Sequence, residues 1–411
     1  MRKVLIVGAG QSGLQLALTL QAADYDVTLV APRTPEELRG GRVMSTQSMY
    51  YRALAVERRH GLALWDDRAP HITGLRVSVA GPDGDRAIDW QAPLAGPALA
   101  VDQRVKMAAW LELFVERGGA VDHRAVNPSE LDDLAYGHDL VVVAAGKGEL
   151  GGLFDHHQRR SPYAQPQRAL SVAYVRGART DGPDAAAARF NALAGRGEII
   201  SYPGYTCSGE CEILLLEGVP GGPLDVFGDR PDPRTQWQRT LDVLREHAPW
   251  EHERFADAQL TDDGGTLAGE LTPAVREPVG QLPSGRLVLG MGDAVVINDP
   301  VTGQGANVAC HAAQTYLESI LARGDEPFDF GWMQRTFDQH WEFAQHVTNW
   351  TNAALQPPPP HVLEIFGAGM SYPAVGERFA DGFANPEDLT SWFLDEEAAK
   401  SYLKECAQAA Q

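Results

Sequence analysis

The stretch KVLIVGAGQSGLQLALTLQAADYDVTLVAPR, residues 3–33, decides the fold. Val4 to Val7 form an apolar run of the kind a parallel strand buried on both faces requires. Leu14, Leu16, Leu18 and Leu20, with Ala17, supply a helix apolar enough to lie against that sheet, and Val27 to Val30 supply a second strand. Between first strand and helix stands Gly8-Ala9-Gly10-Gln11-Ser12-Gly13, a G-x-G-x-x-G. In this context Gly8 permits the tight turn, Gly10 lets backbone N–H groups approach a pyrophosphate, and Gly13 lets the helix sit close to the strand. The chain therefore opens as a dinucleotide-binding βαβ unit.

One expected part is missing. A ribose-binding acid should close the second strand about 20 residues after the glycines. Here the chain reads Val30-Ala31-Pro32-Arg33, with no carboxylate until Glu36. Three explanations are open: a different adenosine contact, an NADP site with Arg33 at the 2′-phosphate, or a flavin site that has given up affinity. A lost charge-assisted hydrogen bond costs about 1.5–3 kcal/mol, on the order of ten- to a hundredfold in binding. That would suit a flavin that arrives and leaves.

Outward from this unit, 101–120 has helical periodicity and stops at Gly118–Gly119, and HDLVVVAAG at 138–146 is a further buried strand. A second G-x-G-x-x-G, Gly146 to Gly151 with Lys147 inside it, precedes LFDHHQRRSPYAQP, which is too polar and proline-bounded for a nucleotide-binding helix. It is read as a decoy. Residues 70–97 and 166–230 carry turn signals and β-rich pieces, as an inserted antiparallel sheet would. From about 326 the chain is aromatic-rich and helical, with Pro357–Pro360 as a stiff connector. Trp332, Trp341 and Trp350 are assigned to core or interface. The fold class is α/β. A discontinuous nucleotide domain (1–68, 98–160, 283–325) carries an inserted antiparallel substrate domain (69–97, 161–282), followed by a helical region (326–411).

RLVLGMGDAVVI at 286–297 leads into NDPVTGQGANVACHAA at 298–313. An aspartate at a strand end, Asp293 after Gly292, can accept hydrogen bonds from ribose or ribityl hydroxyls. A helix starting near Gly305 points free N–H groups and a positive dipole end at an electron-rich ligand edge. Pro300 offers a rigid wall for a ring. A packing turn alone would not need both Gly303 and Gly305 together with the Asp and the Pro.

Composition bounds the rest. At 411 residues the chain has room for two or three domains and needs no disulfide or metal staple. Its 55 acidic and 35 basic residues give a net charge of −20, which argues against nucleic-acid or anionic-membrane binding. Cys207, Cys211, Cys310 and Cys406 lack zinc-site spacing and read as reduced thiols. No apolar run approaches the roughly 20 residues of a membrane span. A soluble, unprocessed, cytoplasmic protein without a metal is expected.

The glycine-rich start, the Gly292-Asp293 pair and DPVTGQGAN resemble flavoprotein monooxygenases of the para-hydroxybenzoate hydroxylase fold. More closely, GKGELGGLFDHHQRRSPYAQPQRAL, AVDQR at 100–104, GMGDAVVINDPVTGQGAN and NWTNAAL resemble the oxygenase components of styrene and indole monooxygenases, over nearly the whole chain. This resemblance implies a two-component enzyme that takes FAD, delivered as FADH2, from a separate NADH-dependent flavin reductase. With O2 the family forms a C4a-hydroperoxide and epoxidises an aromatic alkene or the indole C2–C3 bond. It also implies a homodimer. Carried onto this chain, Gly8, Gly10 and Gly13, with Gln11 and Ser12, hold the pyrophosphate, and Arg33, Arg42 and Arg104 lie near FAD. Gly292 and Asp293 take the ribityl–phosphate side. Pro300, Gly303, Gln304, Gly305, Ala306 and Asn307 wrap the isoalloxazine. Val43, Met44, Ser45 and Val301 correspond to substrate-pocket residues. Styrene-active members usually carry Asn where this chain has Ser45, which leaves the substrate open.

Such chemistry needs no acid–base dyad, because the oxidant is already electrophilic and the protein has only to orient a π bond and exclude water. No catalytic side chain is assigned, and His311 and the pair His156–His157 are given ordinary structural roles. The alternative readings are a single-component NAD(P)H-dependent aromatic hydroxylase and a non-catalytic GDI-like binding protein. The first usually carries a further Asp-Gly segment near 150–170, which is lacking here; a halogenase would need WxWxIP, also lacking.

Overall fold

A computed structural model of the chain describes residues 1–81, 84–146, 148–179 and 186–410. Lys3–Val7 lies inside a six-stranded sheet ordered Val279–Gln281, Leu287–Gly290, Leu140–Val143, Lys3–Val7, Asp26–Val30, Ala120–Asp122. Every joint is parallel except the outer one between Val279–Gln281 and Leu287–Gly290. Val4, Leu5 and Ile6 are fully buried because helices cover both faces. Val4 and Ile6 pack among residues of the helices Gln11–Gln21, Gln103–Glu116 and Gly305–Arg323. Leu5 and Val7 pack with Leu131, Phe337, Ala344 and Val347 on the other side.

The second sheet runs in the order Gln259–Leu260, Ala169–Arg176, Gly209–Gly218, Gly197–Thr206, Ala187–Leu193, His71–Ala80, Arg86–Leu99, with Thr266–Glu270 also paired to Ala169–Arg176. One joint differs from the antiparallel expectation: His71–Ala80 and Ala187–Leu193 pair in parallel, from Gly74↔Ala187 to Val79↔Ala192. These strands belong to two sequence segments separated by more of the first sheet, so no hairpin fixes their relative direction.

Five helices, Phe330–Ala354, Pro360–Ala368, Pro373–Asp381, Pro386–Trp392 and Glu396–Ala409, end the described chain. Pro359 stands at the N-cap and Pro360 at the first position of the second of them, so the proline run does separate two helices. The bundle seals the second sheet: Trp90 Nε1 donates to Phe366 O at 2.9 Å, and Phe366, Phe379 and Phe393 pack around it. Trp332 and Trp350 are buried, and Trp341 is half-buried with the Arg160 guanidinium 4.4 Å above its ring.

No helix among the described residues is long and apolar enough to cross a membrane. Among those residues, no cluster of His, Cys, Asp or Glu could hold a metal ion, and the four cysteines are free thiols.

Candidate functional site

The first glycine loop has the geometry its spacing predicts. Gly8 takes φ +115°, and a Cβ there would stand 3.0 Å from the Ala144 backbone. A Cβ on Gly13 would come within 2.0 Å of Gly8 O, so helix and strand touch through bare backbone. Gly10 is the opposite case: a Cβ there would meet nothing within 4 Å. The helix Gln11–Gln21 begins at Gly10 with no side-chain cap, so its first-turn N–H groups face that open space.

The turn after Leu287–Gly290 joins this loop directly. A Cβ on Gly292 would be 2.6 Å from Ser12 Oγ, and one on Gly146 only 2.2 Å from Asp293 O. Asp293 is exposed beside the loop. The second glycine stretch does not continue as a nucleotide-binding helix: Glu149–Leu153 is a short 3-10 turn, and Lys147 lies outside the described residues.

Asp299 then opens the turn Pro300–Thr302, its Oδ1 accepting from Val301 N–H at 3.1 Å. Gly303 takes φ +63°, and the helix Gly305–Arg323 follows without a side-chain cap. A Cβ on Gly305 would again meet nothing within 4 Å. Asn307 ties this helix to the segment below it, accepting from Tyr50 N–H at 2.9 Å and donating to Ser48 O at 2.9 Å. Gln304 donates to Phe383 O at 2.9 Å, and its buried Oε1 lacks a donor among the described residues. The two helices are cross-linked where Gln15 Nε2 donates to Cys310 O at 3.0 Å. His311 and His340 meet Nδ1 to Nδ1 at 3.2 Å, between Gly305–Arg323 and Phe330–Ala354, and burial pushes them down to about 4 and about 3.

The arginines divide. Arg33 and Arg42 are exposed after the second strand, with Arg33 Nη2 2.8 Å from Met44 Sδ. Arg104 is buried, and its donors are taken by Asp102 (2.8 Å), Asp262 (2.8 and 3.0 Å), Thr206 (3.1 Å) and Gly41 O (3.2 Å). These bonds account for all five guanidinium N–H groups. It ties the helix Gln103–Glu116 to the second sheet at Thr206, to Asp262 and to the loop at Gly41, with no N–H group left over for a further acceptor. Glu37, the first acid with a structural task past the second strand, completes a capping box with Thr34.

Pro300, Val301, Thr302 and Gly303 also form one wall of an apolar cavity with about 480 Å3 of empty space, its open side included. The second sheet contributes Leu75, Phe190, Ile200, Tyr202 and Leu215 to its lining, and Tyr50 and Phe383 add to it. Of the expected pocket residues, Val301 lines this cavity. Val43 is buried nearby in the same apolar cluster, while Met44 and Ser45 bond to Arg33 and to Gln47 and lie outside the lining. Sequence reasoning missed the sheet residues and Phe383. Alternation in the strands marks inward positions but not which of them border empty space, and nothing in GFANPE singles out a phenylalanine. Burial raises the Tyr50 and Tyr202 phenols, so both remain neutral hydroxyls.

An FAD fits this set of groups. Open space lies before two uncapped helix starts, a rigid proline wall adjoins an apolar cavity, and a buried amide oxygen is left without a donor. Residues 146–254 match the family described as "Styrene monooxygenase A putative substrate binding domain". Over 95% of its length the chain is 32% identical to styrene monooxygenase StyA of Pseudomonas fluorescens, covering 97% of that protein; a Pseudomonas sp StyA matches to the same extent. In fold it is similar to a flavoprotein/dehydrogenase from Cytophaga hutchinsonii (TM-score 0.69, 13% identity, both chains covered completely). It is also similar to a triple mutant of the flavin-dependent brominase Bmp2 (TM-score 0.64, 15% identity, covering 98% and 99% of the two chains). The chain belongs to the styrene monooxygenase family and is a flavin-dependent monooxygenase with FAD as its cofactor.

Proposed function

We propose that this monooxygenase is the oxygenase half of a two-component system. A separate NADH-dependent flavin reductase supplies FADH2, and the substrate is a small aromatic alkene of the styrene type or the indole C2–C3 bond. Reduced FAD, when bound, supplies the activation of O2 for transfer of one oxygen atom to the π bond. Every other task falls to the protein. The glycine loop and the N–H groups at Gln11–Gly13 hold the pyrophosphate, Asp293 holds the ribityl side, and Pro300–Asn307 hold the ring. The exposed Arg33 and Arg42 are the cations at the adenosine end.

The observation that carries the reading is the apolar cavity sharing Pro300–Gly303 with the cofactor seat. It lies at the seam we assign between the nucleotide-binding part (1–68, 98–160, 283–325) and the substrate part (69–97, 161–282). Phe190, Ile200, Leu215 and Phe383 favour a flat apolar substrate over a charged one and keep water from the reacting atoms. Among the described lining residues Arg189 is the only charged one, and it is engaged elsewhere in the protein. The neutral Tyr50 and Tyr202 can orient a substrate but are poor bases. This agrees with chemistry that moves an oxygen atom without an acid–base dyad.

NADH oxidation and product formation by purified protein, with and without an added flavin reductase, test the proposal. Epoxide is expected only with the reductase present. Turnover without it would favour a single-component hydroxylase, and absence of oxygenated product with FADH2 supplied would leave a binding protein.

A further inference from the structure

Behind the cavity wall lies a buried acidic group that the chemistry above does not use. Glu198 and Glu217 are directly opposed across the antiparallel pair Gly197–Thr206 and Gly209–Gly218, one register step of two residues beyond the cavity-lining pair Ile200 and Leu215. Their side chains therefore share the cavity's face of the sheet, about 7 Å further along it. Asp299, from the turn whose next residue is the cavity wall Pro300, comes down onto the same spot.

Three carboxyl groups here meet the Arg168 guanidinium. Arg168 is committed to Glu198 through two bonds, Nε to Oε2 at 2.7 Å and Nη2 to Oε1 at 2.9 Å, and its Nη1 donates to Gln167 O and Leu355 O. Glu217 is 0% exposed and Asp299 1%. Both oxygens of Glu217, and Oδ2 of Asp299, lack a donor among the described residues, although the two carboxyl groups are within hydrogen-bonding reach of each other. Two ionised carboxylates cannot satisfy one another, but one proton converts the pair into donor and acceptor. Leaving both charged in this volume would cost several kcal/mol.

We propose that Glu217 is a positioning residue for the oxygenation reaction: as a neutral acid it donates to Asp299 Oδ2 and so fixes the Asp299–Gly303 corner that forms the cavity wall. Asp299 is then held at both oxygens, Oδ1 by Val301 N–H and Oδ2 by Glu217. Burial, with the Asp299 charge beside it, pushes the Glu217 carboxyl well above the usual range. Asp299 is raised as well, by its own burial, against the bonds from Glu217 and Val301 N–H that favour its charge. The positioning role rests on the function proposed above; the shared proton does not.

The test therefore begins on flavin-free protein. At neutral pH the infrared spectrum of the full chain should show the C=O stretch of a protonated carboxylic acid, and E217Q should lack it. Glu217 holds its proton in the folded state far above the ordinary Glu value of about 4.3, so its ionisable carboxyl costs stability as pH rises from there. E217Q, which keeps an N–H donor to Asp299 but cannot ionise, should gain in Tm relative to wild type as pH climbs from about 5 to about 8. With FADH2 supplied, E217L should lower product formed per FADH2 oxidised on the order of tenfold, with the lost oxygen appearing as hydrogen peroxide. E217Q should recover most of that loss. No acid band in wild type, or a Tm difference that does not change with pH, would overturn the shared proton. A normal product yield in E217L would overturn the positioning role. If wild type itself makes no oxygenated product, the functional reading and the positioning role fall together, and the infrared result still decides the proton.

Discussion

Two glycine turns lead into helices with no side-chain cap, at the two ends of the proposed cofactor seat, and they are built by different means. The first, Gly8 to Gly13, is made of backbone against backbone, with Gly13 touching Gly8 O and no side chain capping the helix. The second, Asp299 to Asn307, is held by side chains. Asp299 caps Val301, Asn307 ties Tyr50 and Ser48, Gln304 reaches Phe383, and a Cβ on Gly303 would meet only Ser48 Oγ at 2.9 Å and the Tyr50 hydroxyl at 3.3 Å. A backbone-made turn has one shape. A side-chain-made turn can be tuned, and it is the one that borders the substrate cavity. In the function proposed above, the pyrophosphate meets the rigid turn and the ring and substrate meet the adjustable one.

Substitutions separate the two, beginning with the largest effect. G13A forces a Cβ against a backbone carbonyl that cannot swing aside. It should cost at least about 3 kcal/mol, the upper end of ordinary overpacking, and abolish FAD binding; urea unfolding and flavin titration check both. N307A removes hydrogen bonds that side chains alone supply to the second turn. It should cost about 1–3 kcal/mol and lower product per FADH2 oxidised more than it lowers flavin affinity. A G13A protein of wild-type stability, or an N307A protein that loses flavin but keeps coupling, would erase the distinction.

The second turn's helix also carries the His311–His340 contact, which gives it a pH dependence. Both imidazoles are neutral in the fold, at about 4 and about 3 against an ordinary 6.5. Between those values the unfolded chain binds more protons than the folded one, so stability is lost as pH falls below about 6.5. H340F should make that decline shallower, by up to about 1.4 kcal/mol per pH unit for the proton removed. Unfolding measured between pH 7 and pH 5 checks this, and an unchanged slope would contradict it.

The smallest effect on the fold is the sharpest test of the cofactor seat. G10A and G305A place a methyl in open space, so the apoprotein's unfolding free energy should stay within about 0.5 kcal/mol of wild type. FAD affinity should nevertheless fall on the order of tenfold in each, since one displaced backbone hydrogen bond to a charged ligand is worth about 1.5–3 kcal/mol.

The two turns also differed in how readily the sequence disclosed them. Gly8, Gly10 and Gly13 could be read because each glycine answers a local requirement between a strand and a helix that periodicity identifies. The start of the helix at Gly305 was legible for the same reason. What stayed hidden was assembled across the chain. Arg104 finds Asp262 158 residues away, Phe383 arrives from the terminal bundle, and His71–Ala80 meets Ala187–Leu193 in parallel. No local spacing encodes such meetings. One signal was present and unused: Glu217 interrupts the run ILLLEG, and a carboxylate in a strand apolar on both faces has to find a proton or a cation.

Diffraction from crystals of the protein with FAD bound would show whether both turns hold the one cofactor. Pyrophosphate density is expected at the N–H groups beside Gly10 and isoalloxazine density against Pro300, with one edge toward the start of the Gly305–Arg323 helix and one face open to the cavity of Leu215 and Phe383. Ring density anywhere else, or a pyrophosphate away from the first glycine turn, would contradict that arrangement.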